Sequence, residues 1–213
     1  LAAAMDAVVD PAFAIEMHKV GGLAVLNIEG VWSRFDDPEP ILQEVASGNR
    51  EESTAILQKA FTSPIREDLI ARRIQQIKES GAIAAVSVTP RYTKNFAPVI
   101  QEAGADFLVV QSTVTTARHE STSVEGLRFD QLLKEIHIPV IVGNTVGYNA
   151  TLEVMRTGVA AVLVGVGPGA GCTSREVLGI GVPQVTATIN CAAARDAYFE
   201  ESGRYVPIIT DGG

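Results

Sequence analysis

The sequence is poor in the residues that usually announce a metal centre or a disulfide scaffold. Its 213 residues include two cysteines and three histidines. Two cysteines make no disulfide framework, so a reducing cytoplasm is the expected compartment. His18, His119 and His137 have no metal-ligand spacing with Cys172 or Cys191, which argues against zinc. No apolar run approaches the roughly 20 residues that a membrane-spanning helix needs. The first residues, Leu1-Ala2-Ala3-Ala4-Met5, have no basic lead and are too short for a signal peptide. Positive charge is scarce too: 17 Lys and Arg against 25 Asp and Glu give a net charge of −8. No basic block offsets it, so neither nucleic acid nor an anionic membrane surface is an expected partner. A phosphate-bearing small molecule stays open, because loop amides can hold phosphate without net positive charge. There is no internal repeat and no low-complexity segment.

What remains is an ordinary globular composition, 46% hydrophobic and 20% charged, in a chain long enough for one domain with its own core. Short apolar runs at Leu1–Met5, Leu23–Asn27, Ile83–Val88, Phe107–Gln111, Pro139–Gly143, Ala160–Val164 and Val206–Thr210 read as strands buried on both faces, the requirement of a parallel sheet. Between them Pro11–Val20, Pro64–Glu79, Thr93–Ala103, Phe129–Ile136, Asn149–Arg156 and Ile189–Glu201 read as amphipathic helices. Ser63-Pro64 reads as an N-cap followed by proline in the first turn. Gly21-Gly22, Gly81, Gly104 and Gly158 fall where helices should stop. This alternation predicts a (β/α)8 barrel, here a partial chain without its last β/α unit, as a single catalytic domain over residues 1–213. The competitor is a doubly wound open sheet. Polar or glycine-rich sequence after nearly every strand favours the barrel, whose active sites lie on that face. The chain reads as starting inside a strand and stopping just after one, as a piece of a longer protein would. Residues 29–63 form a long crossover, read either as a surface excursion with extra helices or as a lid or partner-binding element.

The chemistry concentrates after Val164. Gly165-Val166-Gly167-Pro168-Gly169-Ala170-Gly171-Cys172-Thr173-Ser174-Arg175 puts four glycines in seven positions and then a lone thiol among hydroxyls and a cation. Such a loop exposes backbone groups to a ligand and places the thiol to act as a nucleophile. The bland reading of Cys172 is a small buried hydrophobe, and for Cys191, within alanine-rich helix, that reading is preferred. Of the histidines, His18 and His137 read as structural, and His119, in a polar loop, is a candidate for the site's edge.

This loop, with Gly181-Val182-Pro183-Gln184 after it, resembles the catalytic loop of the IMP dehydrogenase/GMP reductase family. Ala3-Ala4-Met5-Asp6, Gly143-Asn144-Thr145 and Asp211-Gly212-Gly213 match further motifs in order, so the resemblance spans essentially the whole chain. Val182-Pro183-Gln184 leans toward the dehydrogenases, and the likeness is to the branch without paired CBS regulatory domains. Residues 29–63, roughly 35 of them, stand where those domains would be inserted.

The resemblance implies that Cys172 attacks C2 of IMP, that hydride passes to NAD, and that water hydrolyses the resulting thioimidate to XMP, a step of guanine nucleotide biosynthesis. It implies that Asp211 bonds the substrate's ribose hydroxyls, that the amides of Gly212 and Gly213 approach its phosphate, that Met5 packs on the purine, and that Asn144 lies near the reacting base. Ser174 takes the place of the family's threonine beside the cysteine. Gln111 and Ser112 would border the cofactor's ribose, and Gly165, Val166 and Gly167 its nicotinamide. The carbonyls of Gly167, Gly169 and Cys172 would bind potassium, and the assembly would be a homotetramer. There are departures. Gln111 stands where the family usually has an aspartate, Ala170 replaces a phosphate-contacting serine, and the mobile flap with its arginine base has no counterpart in these residues. Two other readings therefore stand beside the first: a GMP reductase using NADPH, and a non-catalytic purine-nucleotide-binding relative.

Overall fold

The computed structural model describes residues 1–117 and 126–213 and divides into two compact units. The first comprises Leu1–Val88 and Asn95–Leu108; the second comprises Thr89–Lys94 and Val109–Gly213.

The first unit holds helix α1 (Pro11–Lys19), strand β1 (Val25–Asn27), a turn of 3-10 helix (Val31–Ser33), helices α2 (Glu39–Ser47), α3 (Arg50–Ala60) and α4 (Glu67–Glu79), and strand β2 (Ala85–Val88). Strands β1 and β2 are parallel, with Val25 opposite Ala85 and Asn27 opposite Ser87. The expected strand Leu1–Met5 is reduced to one bridge, Ala2 to Ala24, because the chain turns at once: the amides of Val8 and Val9 both donate to the Met5 carbonyl. Helix α4 buries Leu69, Ile70, Ile74 and Ile77, one stripe at helical spacing, and that burial is the unit's main core.

Helix α4 does not start at Ser63-Pro64 as its sequence predicts. It starts after Arg66, because the segment before it is held extended: the Ser63 carbonyl accepts from Arg34, and the Arg66 amide donates to the Ser33 carbonyl at 2.8 Å. The long crossover contains the extra helices of the surface-excursion reading. Helix α2 buries no residue and packs on α3, whose start is fixed by an Asn49–Glu52 capping box. Buried Arg73 fastens the crossover, donating to the carbonyls of Trp32, Phe35 and Asp36 at 3.0, 3.1 and 2.8 Å.

Helix α5 (Pro90–Glu102) and strand β3 (Phe107–Gln111) each run from one unit into the other. The second unit continues with α6 (Phe129–Glu135), β4 (Val140–Thr145), α7 (Tyr148–Arg156), β5 (Ala161–Val164), α8 (Ser174–Leu178), α9 (Gln184–Ser202) and β6 (Ile208–Thr210). Strand β5 is parallel to β4 on one side and to β6 on the other, and both β4 and β5 are buried along their whole length. Within each unit the strands follow chain order. A doubly wound sheet would show a reversal at its switch point, so the fold class is the (β/α)8 barrel, present as a partial chain with six strands among the described residues.

Three more helices differ from the sequence reading: α5 begins at Pro90, three residues before the expected Thr93, and α8 and α9 depart as well. The five-residue α8 was not foreseen, and α9 begins five residues earlier than expected, straight after Pro183, whose carbonyl accepts the Ala187 amide at 3.0 Å. The buried stripe of α9 runs Ala187, Cys191, Ala194 and Tyr198, small residues over its first three turns, so weak amphipathicity hides its start. Those small residues let α9 lie close against Val164 on β5. Positive φ at Gly21, Gly81, Gly104 and Gly158 ends α1, α4, α5 and α7, as the sequence predicts.

Candidate functional site

The C-terminal ends of β3, β4, β5 and β6 carry the predicted polar residues, and the second unit brings three of them into one hydrogen-bonded triangle. Asn144, buried near the end of β4, donates through Nδ2 to the Gly165 carbonyl at 2.8 Å and to Asp211 Oδ2 at 2.8 Å. Gln111, the last residue of β3, donates through Nε2 to Asn144 Oδ1 at 3.1 Å and to Asp211 Oδ2 at 3.0 Å. Asp211, just past β6, is held from below by its amide, which donates to the Val164 carbonyl at 2.8 Å. One oxygen of the carboxylate, Oδ2, therefore accepts twice, and Oδ1 lies outside the triangle.

The glycine loop leaves β5 beside this triangle. Gly165 has φ of +145°, and a β-carbon there would lie 2.4 Å from the Asp211 carbonyl oxygen, so both conformation and contact demand glycine. Sequence reasoning gave Gln184 no role, yet it braces this junction. Its Nε2 donates to the Val164 carbonyl at 2.8 Å, and its Oε1 is buried without a hydrogen-bond partner, 2.8 Å from where a Gly165 β-carbon would stand. The available signal was Pro183, which fixes the helix start and so aims the next side chain into the junction. Gly212 lies against Gly169, and Gly213 against Gln184 and Pro168, which places the Asp211–Gly213 motif alongside the loop.

The thiol of Cys172 is exposed. Hydrogen bonding from the Ser174 side chain and backbone, aided by the positive charge of Arg175, lowers its pKa from the ordinary thiol value, while the negative charge of Asp211 opposes the shift. The expected nucleophile and its hydroxyl neighbour are thus together. Cys191 is the opposite case. It is buried, its Sγ accepts from Thr151 Oγ1 at 3.1 Å, and burial pushes its pKa up, as befits a packing residue.

The residues expected at the cofactor fit that role in part. Both N–H groups of Gln111 are spent inside the triangle, so no donor of that side chain is left for a cofactor. Ser112 donates to the Val114 carbonyl at 2.7 Å and borders a cavity of about 460 Å³, also lined by Thr89, Arg91, Lys94, Thr115 and Phe129. Val166 and Gly167 are buried, so the nicotinamide would meet this stretch through its rim. The expected potassium site fits less well. The Gly169 carbonyl already accepts from the Cys172 amide at 3.1 Å and from Arg175 at 3.3 Å, so a cation would have to displace the guanidinium. Among the described residues no cluster of histidine, cysteine and carboxylate side chains could hold a metal ion.

Met5 belongs to the first unit, where it is exposed. Asp6, which the sequence reading quoted without a role, fixes the turn that carries it. Its carboxylate accepts from Asn27 Nδ2 at 3.1 Å and from the Val31 amide at 3.0 Å, and a β-carbon on Gly30 would fall 1.8 Å from it. Burial raises the Asp6 pKa against the pull of those two donors. His18 sits in α1, His137 precedes β4, and His119 lies outside the described residues. Among the described residues no helix is long and apolar enough to cross a membrane.

A family model described as the IMP dehydrogenase / GMP reductase domain matches residues 1–213. An uncharacterized oxidoreductase of Mycobacterium tuberculosis is 42% identical over 97% of this chain and 57% of its own length. An inosine-5'-monophosphate dehydrogenase of Cryptosporidium parvum is 27% identical over 100% of this chain and 52% of its own. The crystal structure of an IMP dehydrogenase/GMP reductase-like protein from Corynebacterium glutamicum superposes with a TM-score of 0.92 at 37% identity, covering all of this chain and 56% of that one. The chain thus spans little more than half the length of these relatives.

Proposed function

The chain belongs to the IMP dehydrogenase/GMP reductase family, and from that premise we propose that it carries the nucleophile and the substrate cradle of an enzyme oxidising IMP to XMP with NAD. The observation that carries the reading is an exposed thiol of lowered pKa, on a glycine loop alongside a carboxylate with one oxygen left for a ligand. A lowered pKa raises the thiolate fraction near neutral pH, and the thiolate is the attacking form.

In this mechanism Cys172 Sγ adds to C2 of the hypoxanthine ring, and the hydrogen at C2 departs with its electron pair. Bound NAD supplies the acceptor for that hydride. The ring then remains joined to Cys172 as a thioimidate. Water adds at C2, the C–S bond breaks, XMP leaves, and the thiolate is restored with release of one proton. Asp211 Oδ1 takes the ribose hydroxyls, fixing the base against the sulfur. The amides of Gly212 and Gly213 face the phosphate, and Asn144 is held immobile by three hydrogen bonds near the ring. This positioning is the chain's main contribution, since holding nucleophile and electrophile in register removes much of the entropic barrier. Met5 is the proposed contact for the purine face, NAD the proposed oxidant, and a homotetramer in the cytoplasm the proposed setting. A monovalent cation would compete with Arg175 for the Gly169 carbonyl, and no step depends on it.

The test is incubation of the full-length protein with IMP and NAD, read as formation of reduced nicotinamide and as a purine adduct on Cys172 by mass spectrometry. Cys172→Ala should abolish both while leaving IMP binding largely intact. Full activity of that variant would remove the nucleophile. Consumption of NADPH with GMP, and no reaction with IMP, would assign the reductase direction instead. Nucleotide binding without either reaction would leave a non-catalytic relative.

A further inference from the structure

We propose that Gln111 is a positioning residue for the substrate nucleotide: its carboxamide clamps the Asp211 carboxylate and fixes which way the Asn144 amide faces. The proposal rests on the nucleotide reading above for the identity of the ligand, and on the triangle alone for the clamp.

Every polarity in the triangle is forced. An ionised Asp211 offers acceptors alone, so the end of Asn144 that faces it at 2.8 Å must be Nδ2. The second hydrogen of that nitrogen goes to the Gly165 carbonyl at 2.8 Å, another pure acceptor. Asn144 is buried, so its Oδ1 then needs a donor, and Gln111 Nε2 supplies it at 3.1 Å. The other hydrogen of Nε2 reaches Asp211 Oδ2 at 3.0 Å. Turning the Gln111 amide over would aim its oxygen at two acceptors at once. A carboxylate at position 111 would do the same, and would add like charge beside Asp211.

Gln111 therefore differs in role from the cofactor contact that the resemblance implies. Its donors serve the substrate side, and they hold Asp211 so that Oδ1 stays turned toward ligand hydroxyls. A residue that merely bordered the cofactor would need neither hydrogen. One that merely filled space would be replaceable by a side chain of the same shape.

The experiment uses the full-length protein with Gln111→Glu, the isostere without donors, Gln111→Met, and the double variant Gln111→Glu/Asp211→Asn. Calorimetric titration with IMP in the absence of NAD should show Gln111→Glu weakened about tenfold or more, since a charge-assisted donor is replaced by a repelling acceptor. Gln111→Met should weaken binding less, and in Gln111→Glu the KM for NAD should change by less than about threefold. Thermal unfolding should place Gln111→Glu below wild type, with Asp211→Asn restoring part of the loss because the like charge beside Glu at position 111 is removed. Unchanged IMP affinity in Gln111→Glu with a raised KM for NAD would overturn the proposal. So would a double variant no more stable than the single one. Failure of the wild type to bind IMP would defeat the nucleotide reading, and the thermal comparison would still decide the clamp.

Discussion

Replacing Gly165 with alanine perturbs the tightest approach in the site. The new β-carbon would stand 2.4 Å from the Asp211 carbonyl oxygen and 2.8 Å from Gln184 Oε1, on a backbone with φ of +145°. Reaching ordinary contact requires Asp211 to retreat by about 1 Å. Neither neighbour yields freely, because the Asp211 amide and Gln184 Nε2 each donate to the Val164 carbonyl at 2.8 Å. Backbone strain of this kind costs about 1–3 kcal/mol, and overpacking a further 1–3 or so. The stiffer unfolded chain returns about 0.4–1 kcal/mol. A net loss of about 1–5 kcal/mol lowers Tm by about 2–20 °C in a domain of this size. Because the retreat moves Asp211 itself, IMP affinity should fall as well, by about tenfold. Gly171→Ala is the control in the same loop: nothing lies within 4 Å of its β-carbon, and it should stay within about 0.5 kcal/mol of wild type. Differential scanning calorimetry and IMP titration of the full-length variants check both statements. A Gly165→Ala protein that melts within about 1 °C of wild type and binds IMP normally would refute the geometry.

Two further predictions concern titration. Ser174 hydrogen bonding is the leading cause of the lowered Cys172 pKa, ahead of the charge of Arg175. The pH at which iodoacetamide alkylates Cys172 half-maximally should therefore rise in Ser174→Ala, and rise more than in Arg175→Gln; an unmoved midpoint in Ser174→Ala would contradict it. Burial raises the Asp6 pKa, so the folded state holds that proton more tightly than the unfolded one. Its stabilising contribution is fully present below the unfolded carboxyl value and is lost as pH rises through the raised folded value. Asp36, lowered by hydrogen bonds from Arg66 and Arg72, runs the other way. Denaturant titrations from pH 3 to 7 should show wild type losing stability relative to Asp6→Asn as pH rises; a difference independent of pH would exclude the Asp6 assignment.

How much of this was legible follows from distance along the chain. Strand runs such as Ala161–Val164 are apolar on both faces because both faces are buried, and that pattern is local. The glycine loop is local too, so a thiol set among hydroxyls and a cation could be read from Cys172 and its immediate neighbours Ser174 and Arg175. The start of α4 was misread because its competitor is not local: Arg34 and Ser33, on the far side of the crossover, hold residues 63–66 extended. The triangle is the extreme case, joining residues 33, 67 and 100 positions apart. Each member was recognisable by its motif, but the motif assigned Gln111 to the cofactor and Asp211 to the substrate as separate contacts. What decides their joint role is the count of donors against acceptors, and that count exists after folding brings three strand ends together. A glutamine among an aspartate and an asparagine is the one neutral side chain of its length that satisfies both, with two hydrogens to give and an oxygen to spare. The glutamine that the resemblance places at the cofactor is, in three dimensions, a hydrogen-bond donor to the carboxylate next to it.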